Sequence, residues 1–306
     1  MRLARVFLVM VMMISAGCLA RAQGTTALPA LRGGAMLECS GLPCVDVVLS
    51  SGKHLKLLLD MGDVSSVLDT AVAKELGLEI APVKDGDGKV VPGYAQTKLT
   101  GLRVGDALLG DVKVLVLDLA EMEKKNQVPV ADGSLAYTAF KNRLLEMDYV
   151  GKQVRFSEVL TDGVACPDAD KCGVITLPTF GKAGPPIVVA TGFSINGKAI
   201  TAQIDTLYSG TMLIYPTSVE KLGLTEAAKT TKTRMFHYTD GGVDMGEAPL
   251  ADEAFGGQVL AKGPVYFATP AVHVPDGLFD GTVGHELFQH SVLVMDFKGM
   301  RVWLRA

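Results

Sequence analysis

A short apolar run that ends in an aspartate occurs twice in this chain, about 145 residues apart. The first copy is Leu55-Lys56-Leu57-Leu58-Leu59-Asp60-Met61-Gly62-Asp63. The second is Ile200-Thr201-Ala202-Gln203-Ile204-Asp205-Thr206-Leu207-Tyr208-Ser209-Gly210. A helix-like segment follows each and closes in Leu-Gly-Leu, at 76–78 and 222–224. Further on, Asp132-Gly133-Ser134-Leu135-Ala136 and Met147-Asp148-Tyr149-Val150-Gly151 recur, without a gap, as Asp280-Gly281-Thr282-Val283-Gly284 and Met295-Asp296-Phe297-Lys298-Gly299. A period this long excludes a solenoid and implies a duplicated lobe. Duplicated lobes set equivalent residues around a pseudo-two-fold axis, so Asp60 and Asp205 are expected to face each other.

Within each copy the signals are those of strands. Val45 to Leu49 and Leu55 to Leu59 flank Ser51-Gly52, and Ile187 to Ala190 and the run to Asp205 flank Asn196-Gly197, a strong hairpin dipeptide. Gly-Asp turns punctuate further short runs, and Val112 to Leu117 alternates cleanly. Helix is expected only at Thr70 to Leu76 and Pro216 to Leu222, the former stopped by Gly77. The pattern predicts an all-β chain of the barrel or sandwich kind. Its expected division is a signal peptide at 1–22, a lead-in at 23–43, a first lobe at 44–160, a linker at 161–184 and a second lobe at 185–306. Asp148 and Asp296 fall in closing hairpins and read as turn residues.

The 306 residues are 48% hydrophobic and 20% charged, globular values, and the net charge of −4 offers no basic stripe for nucleic acid. Arg2 and Arg5, the apolar stretch Val6 to Ala20, and Ala20-Arg21-Ala22 form a secretory leader with its cleavage site. Export to the periplasm or the medium is therefore expected, with no membrane span after cleavage. The alternative is lipoprotein processing at Cys18. Once Cys18 has left with the leader, Cys39, Cys44, Cys166 and Cys172 remain. An oxidising compartment favours disulfides. Three pairings are open, and proximity favours Cys39–Cys44 and Cys166–Cys172. The spacings lack the pattern of a zinc site, and His285 and His290 are five apart rather than the four a helical zinc motif needs, so no metal or other cofactor is expected.

Two carboxylates about 3 Å apart share one proton, so that one serves as base while the other is an acid. Such a dyad can deprotonate a water and add it to an amide carbonyl. The segments Asp60-Met61-Gly62-Asp63-Val64-Ser65-Ser66 and Asp205-Thr206-Leu207-Tyr208-Ser209-Gly210-Thr211, each after an apolar strand, resemble the Asp-Thr-Gly motif of the retropepsin-like and pepsin-like aspartic proteases. The Asp132-Gly133 and Asp280-Gly281 segments resemble the later Asp-Gly element of that family. The resemblance spans about Cys44 to Leu304. It implies two homologous β-barrel-like lobes with a cleft between them and a β-hairpin flap near Lys84 to Gln96, with a shorter loop as its counterpart around His237 to Met245. It further implies an aspartic endopeptidase with Asp60 and Asp205 as the catalytic pair, loops supported by Gly62, Thr206 and Ser209, and a peptide or protein substrate. Two lobes in one chain make a monomer sufficient. Met61 stands where the family has Thr, Leu207 where it has Gly, Asp63 where it has a small residue, and Ala136 opposite Gly284. The alternative reading is a catalytically impaired relative that binds a peptide or protein without cleaving it.

Overall fold

The computed structural model describes residues 29–120, 131–179, 186–229, 232–238, 241–268 and 277–305. The leader and Cys18 lie outside them. Among these residues, twenty-one strands carry the fold. The first half supplies β1 (Leu31–Ala35), β2 (Leu37–Cys39), β3 (Leu42–Val48), β4 (His54–Asp60), β5 (Val67–Asp69), β6 (Ala81–Lys84), β7 (Val90–Val104), β8 (Ala107–Leu117), β9 (Gly133–Ala136), β10 (Leu144–Asp148) and β11 (Gln153–Ser157). The second half supplies β12 (Gly173–Thr176), β13 (Val189–Ile195), β14 (Lys198–Asp205), β15 (Met212–Ile214), β16 (Lys232–Tyr238), β17 (Gly241–Phe255), β18 (Gln258–Phe267), β19 (Gly281–Gly284), β20 (Val292–Asp296) and β21 (Arg301–Arg305).

The duplication appears in the hydrogen-bonding order. The first lobe runs β3-β4-β9-β5-β8-β7-β6 and the second β13-β14-β19-β15-β18-β17-β16, strand for strand. Each bends back on itself into a barrel-like sheet, through β3–β7 in one and β13–β17 in the other. Period-2 alternation explains the central strands: Leu55, Leu57 and Leu59 are buried on β4, and Ile200, Ala202 and Ile204 on β14. Asn196 and Gly197 both take positive φ, 48° and 75°, as a tight hairpin turn requires. The helix Thr70–Glu75 is capped by Asp69, whose Oδ1 accepts from Ala71 N at 2.7 Å, and it ends at Gly77 with φ 64°.

Six strands form a shared sheet between the lobes, in the order β1-β11-β10-β20-β21-β12. At its centre β10 pairs antiparallel with β20, Leu144 opposite Asp296 and Asp148 opposite Val292. The middle pair is Glu146 with Val294, which are also equivalent positions in the repeat. The pseudo-two-fold axis therefore passes between them. Asp148 accepts from Gly151 N and Asp296 from Lys298 N and Gly299 N, so both are turn residues. One continuous apolar core runs through both lobes, with Leu57, Met61, Phe140, Met147, Ile204, Phe288 and Met295 all in it.

Three expectations about local structure need correction. The lead-in contains β1 and β2, and β1 forms the outer edge of the shared sheet; the linker contains β12, which pairs with β21 on one side and β13 on the other and so joins that sheet to the second lobe. These strands are short and rich in Gly or broken by turns, so no period shows in the sequence. The counterpart of the flap is longer than a loop. β16 and β17 pair over seven residues, Lys232 with Glu247 through Tyr238 with Gly241, against three pairs for β6 and β7. Cys39–Cys44 and Cys166–Cys172 are the two disulfides, the pairing that proximity favoured.

Glu146 is buried at the axis and pairs with Arg155 of the first lobe and Arg305 of the second. Removing its carboxylate leaves Arg305 without this partner and Arg155 with Asp148 alone. Glu146→Ala is expected to lower stability in urea unfolding by about 3 kcal/mol, the cost of breaking a buried pair.

Candidate active site

β4 and β14 each deliver an aspartate at the point where the chain leaves the sheet. Each is locked there by a parallel neighbour: Asp60 pairs with Ala136 of β9, and Asp205 with Gly284 of β19. The Asp-Gly elements reinforce this from behind. Asp132 Oδ2 accepts from Lys56 N at 2.7 Å, and Asp280 Oδ2 from Thr201 N at 3.0 Å.

The two loops then meet. A methyl group at Gly62 would lie 2.9 Å from Asp205 Cγ and 3.0 Å from its Cα, so that approach requires glycine. Thr206, fully buried, crosses between lobes: its Oγ1 accepts from Met61 N at 2.8 Å and donates to Leu59 O. The two-fold counterpart of Thr206 is Met61, also fully buried, whose thioether offers no such donor. A different bond crosses instead, from Gln203 Nε2 to Gly62 O at 3.0 Å. Leu207 in place of glycine leaves its turn intact, because Leu207 N and Tyr208 N still donate to Asp205 Oδ1 at 3.0 and 3.2 Å. Ser209 is exposed and makes no hydrogen bond among the described residues. The bonding expected of it falls to Thr211, whose carbonyl accepts from Gly284 N at 2.9 Å and whose hydroxyl donates to buried Glu253. A side chain at 284 would strike the carbonyls of Tyr208 and Gly210. At the equivalent place stands Ala136, whose N–H donates to Ser66 Oγ at 2.9 Å.

Burial and neighbouring charge raise both carboxyls. Burial raises Asp60 well above the usual carboxylate range, Asp205 and Asp63 push it further, and the N–H groups of Asp63 and Gly62 oppose the shift. Burial also raises Asp205, to about 6, against the two N–H groups on its Oδ1. Both carboxyls are thus held above the usual carboxylate range, and the pair keeps a proton to higher pH than isolated aspartates would. Asp63 is the third carboxylate of the site; its N donates to Asp60 Oδ1 at 3.2 Å and its charge raises both partners. Among the described residues no group of three metal-ligating side chains could hold an ion.

Sequence reasoning had named Asp60, Asp205, Gly62 and Thr206, which the fold brings together. It missed Gln203 and Thr211. The available signal for Gln203 was a long amide two residues before the aspartate, hence on the same strand face.

A carboxyl raised by folding stabilises the protein fully below its unfolded pKa, and that contribution is lost as pH rises through the folded value. For Asp205 the window is about pH 4 to 6. Asp205→Asn is therefore expected to match the parent below pH 4 and to exceed it at pH 7 by on the order of 1–3 kcal/mol in urea unfolding. Asp63→Asn removes a like charge, so both apparent pKa values of the dyad fall, as carboxyl-carbon NMR titration would register.

Residues 45–137 match the family model for aspartyl proteases. Similar solved structures include conglutin gamma, a basic 7S globulin from lupine seeds, at 12% identity and a TM-score of 0.46, covering 90% of this chain and 95% of that one. Basic 7S globulin from soybean is another, at 10% identity and a TM-score of 0.43, covering 88% and 93%. No curated protein matches. The family match contains Asp60 and runs from β3 to the end of β9, and the second lobe repeats that strand order around Asp205: the chain is aspartic-protease-like, its residues 45–137 matching the aspartyl protease family.

Proposed function

We propose that the chain is an exported aspartic endopeptidase in which Asp60 and Asp205 activate water. The observation that carries this reading is the contact between their loops: Gly62 packs on Asp205, and Thr206 bridges back to Met61 and Leu59. The Asp60 and Asp205 carboxyls, both partly exposed, lie at the ends of β4 and β14 beside this contact. Export is supported by the leader and by the two disulfides, which suit an oxidising compartment. Among the described residues no helix is long and apolar enough to cross a membrane.

In the proposed cycle Asp205 is ionised and Asp60 protonated. Asp205 takes a proton from the water as its oxygen adds to the scissile carbonyl carbon, and Asp60 gives its proton to the carbonyl oxygen. The gem-diol then collapses: Asp205 passes its proton to the leaving nitrogen, the C–N bond breaks, and Asp60 recovers a proton from the diol. Atoms balance and no cofactor is required.

One observation favours a second reading. Met61 fills the core where a hydroxyl would tie the loops, so the site has one Thr bridge in place of two. A peptide- or protein-binding relative without turnover needs the groove and not the dyad.

Incubation with a mixed peptide library from about pH 3 to pH 7 separates the two. The expected result is cleavage that falls by a factor on the order of 10²–10⁴ in Asp60→Asn and in Asp205→Asn. Peptide retention with no cleavage at any pH would sink the endopeptidase and support the binding module. Cleavage that survives both substitutions would remove the dyad from the mechanism.

A further inference from the structure

The Gln203 bond reaches one particular peptide unit. Gly62 O, which accepts from Gln203 Nε2 at 3.0 Å, and the N–H of Asp63, which donates to Asp60 Oδ1 at 3.2 Å, belong to the same planar amide. Fixing the oxygen on one side fixes the direction of the N–H on the other. Gln203 is well placed to do so. Its backbone is clamped between β13 and β19, opposite Val189 and Thr282, so the side chain starts from a fixed point. It shares its strand face with Asp205, two residues on; Gln203 binds the Gly62 carbonyl while Asp205 fills the space that a side chain at Gly62 would need. The equivalent residue in the first lobe is Leu58, which has no amide to offer.

We propose that Gln203 is a positioning residue for Asp60: by holding the Gly62–Asp63 peptide plane from the opposite lobe, it aims the Asp63 N–H at the Asp60 carboxylate and so takes over part of the tie that a hydroxyl at position 61 would provide. Both side-chain ties across the active loops, Thr206 and Gln203, then issue from the second lobe. The first-lobe loop is the one being held. This inference rests on the dyad reading for its catalytic consequence and on geometry alone for its structural one.

The test is Gln203→Leu in the full mature chain, read three ways. Thermal unfolding checks that the fold is kept. Carboxyl-carbon NMR titration of the dyad is the deciding measurement. Losing the Asp63 N–H removes a bond to the charged form of Asp60, so the upper apparent pKa of the pair rises by about half a unit to one unit. Peptide turnover falls about tenfold in kcat while KM stays within about threefold, as expected when a group is misaligned rather than a substrate lost. If Gln203→Leu does not fold, Gln203→Asn replaces it, keeping an amide drawn back by about 1.5 Å. An unshifted dyad titration in either folded variant overturns the proposal, whatever the turnover. A shifted titration in a protein that cleaves nothing upholds the role of Gln203 and counts against the endopeptidase. Normal turnover with an unshifted titration does the reverse.

Discussion

The antiparallel pairing of β10 with β20 is the contact on which the remaining geometry depends. It joins equivalent strands of the two lobes through equivalent residues, Glu146 and Val294. Such a pairing generates a two-fold relation without further instruction, because an antiparallel ladder is itself two-fold symmetric about its midpoint. Everything attached rigidly to those strands inherits the relation. Asp60 and Asp205, each at the end of a core strand, are brought together by it. The continuous apolar core makes the arrangement stiff, so the loops meet as parts of one body.

Symmetry sets the meeting place, and departures from symmetry set the chemistry. Glycine is required at 62, where the loop lies against Asp205, while leucine is accepted at 207. Thr206 bridges and Met61 fills space. Each aspartate takes backbone donors from its own turn, but Asp60 is raised by two neighbouring carboxylates, Asp205 and Asp63. These differences push two aspartates of one origin toward different proton affinities. A shared proton needs such a bias if acid and base are to be distinct residues. The same asymmetry makes the first-lobe loop dependent on donors from the second.

Much of this was legible before any coordinates. The repeat named the lobes, the alternation of Leu55, Leu57 and Leu59 named a strand, and the residues after each run named the site. The outer strands of the shared sheet were less legible. β1 is held by pairing with distant β11 and its Gly33-Gly34 reads as loop, while β12 is only four residues long and is held between β21 and β13. The long β16–β17 hairpin was missed for the opposite reason. Its Gly-rich turn was visible, but the extent of pairing is a property of two strands together. Ser209 reads as a loop support only through the family resemblance. In the folded chain it points outward and Thr211 does the bonding.

The sequence by itself determined that the chain folds as two copies of one all-β lobe, each presenting an aspartate after a buried strand. Period-2 burial and a long internal repeat are local or self-referential signals, and they survive without knowledge of contacts. The tertiary structure alone decided which groups act on those aspartates. Gln203 reaching Gly62, Thr206 reaching Leu59 and Met61, and Asp63 raising both carboxyls are through-space relations. Most join residues about 145 positions apart, and no pattern along the chain encodes the hydrogen bond that closes between them.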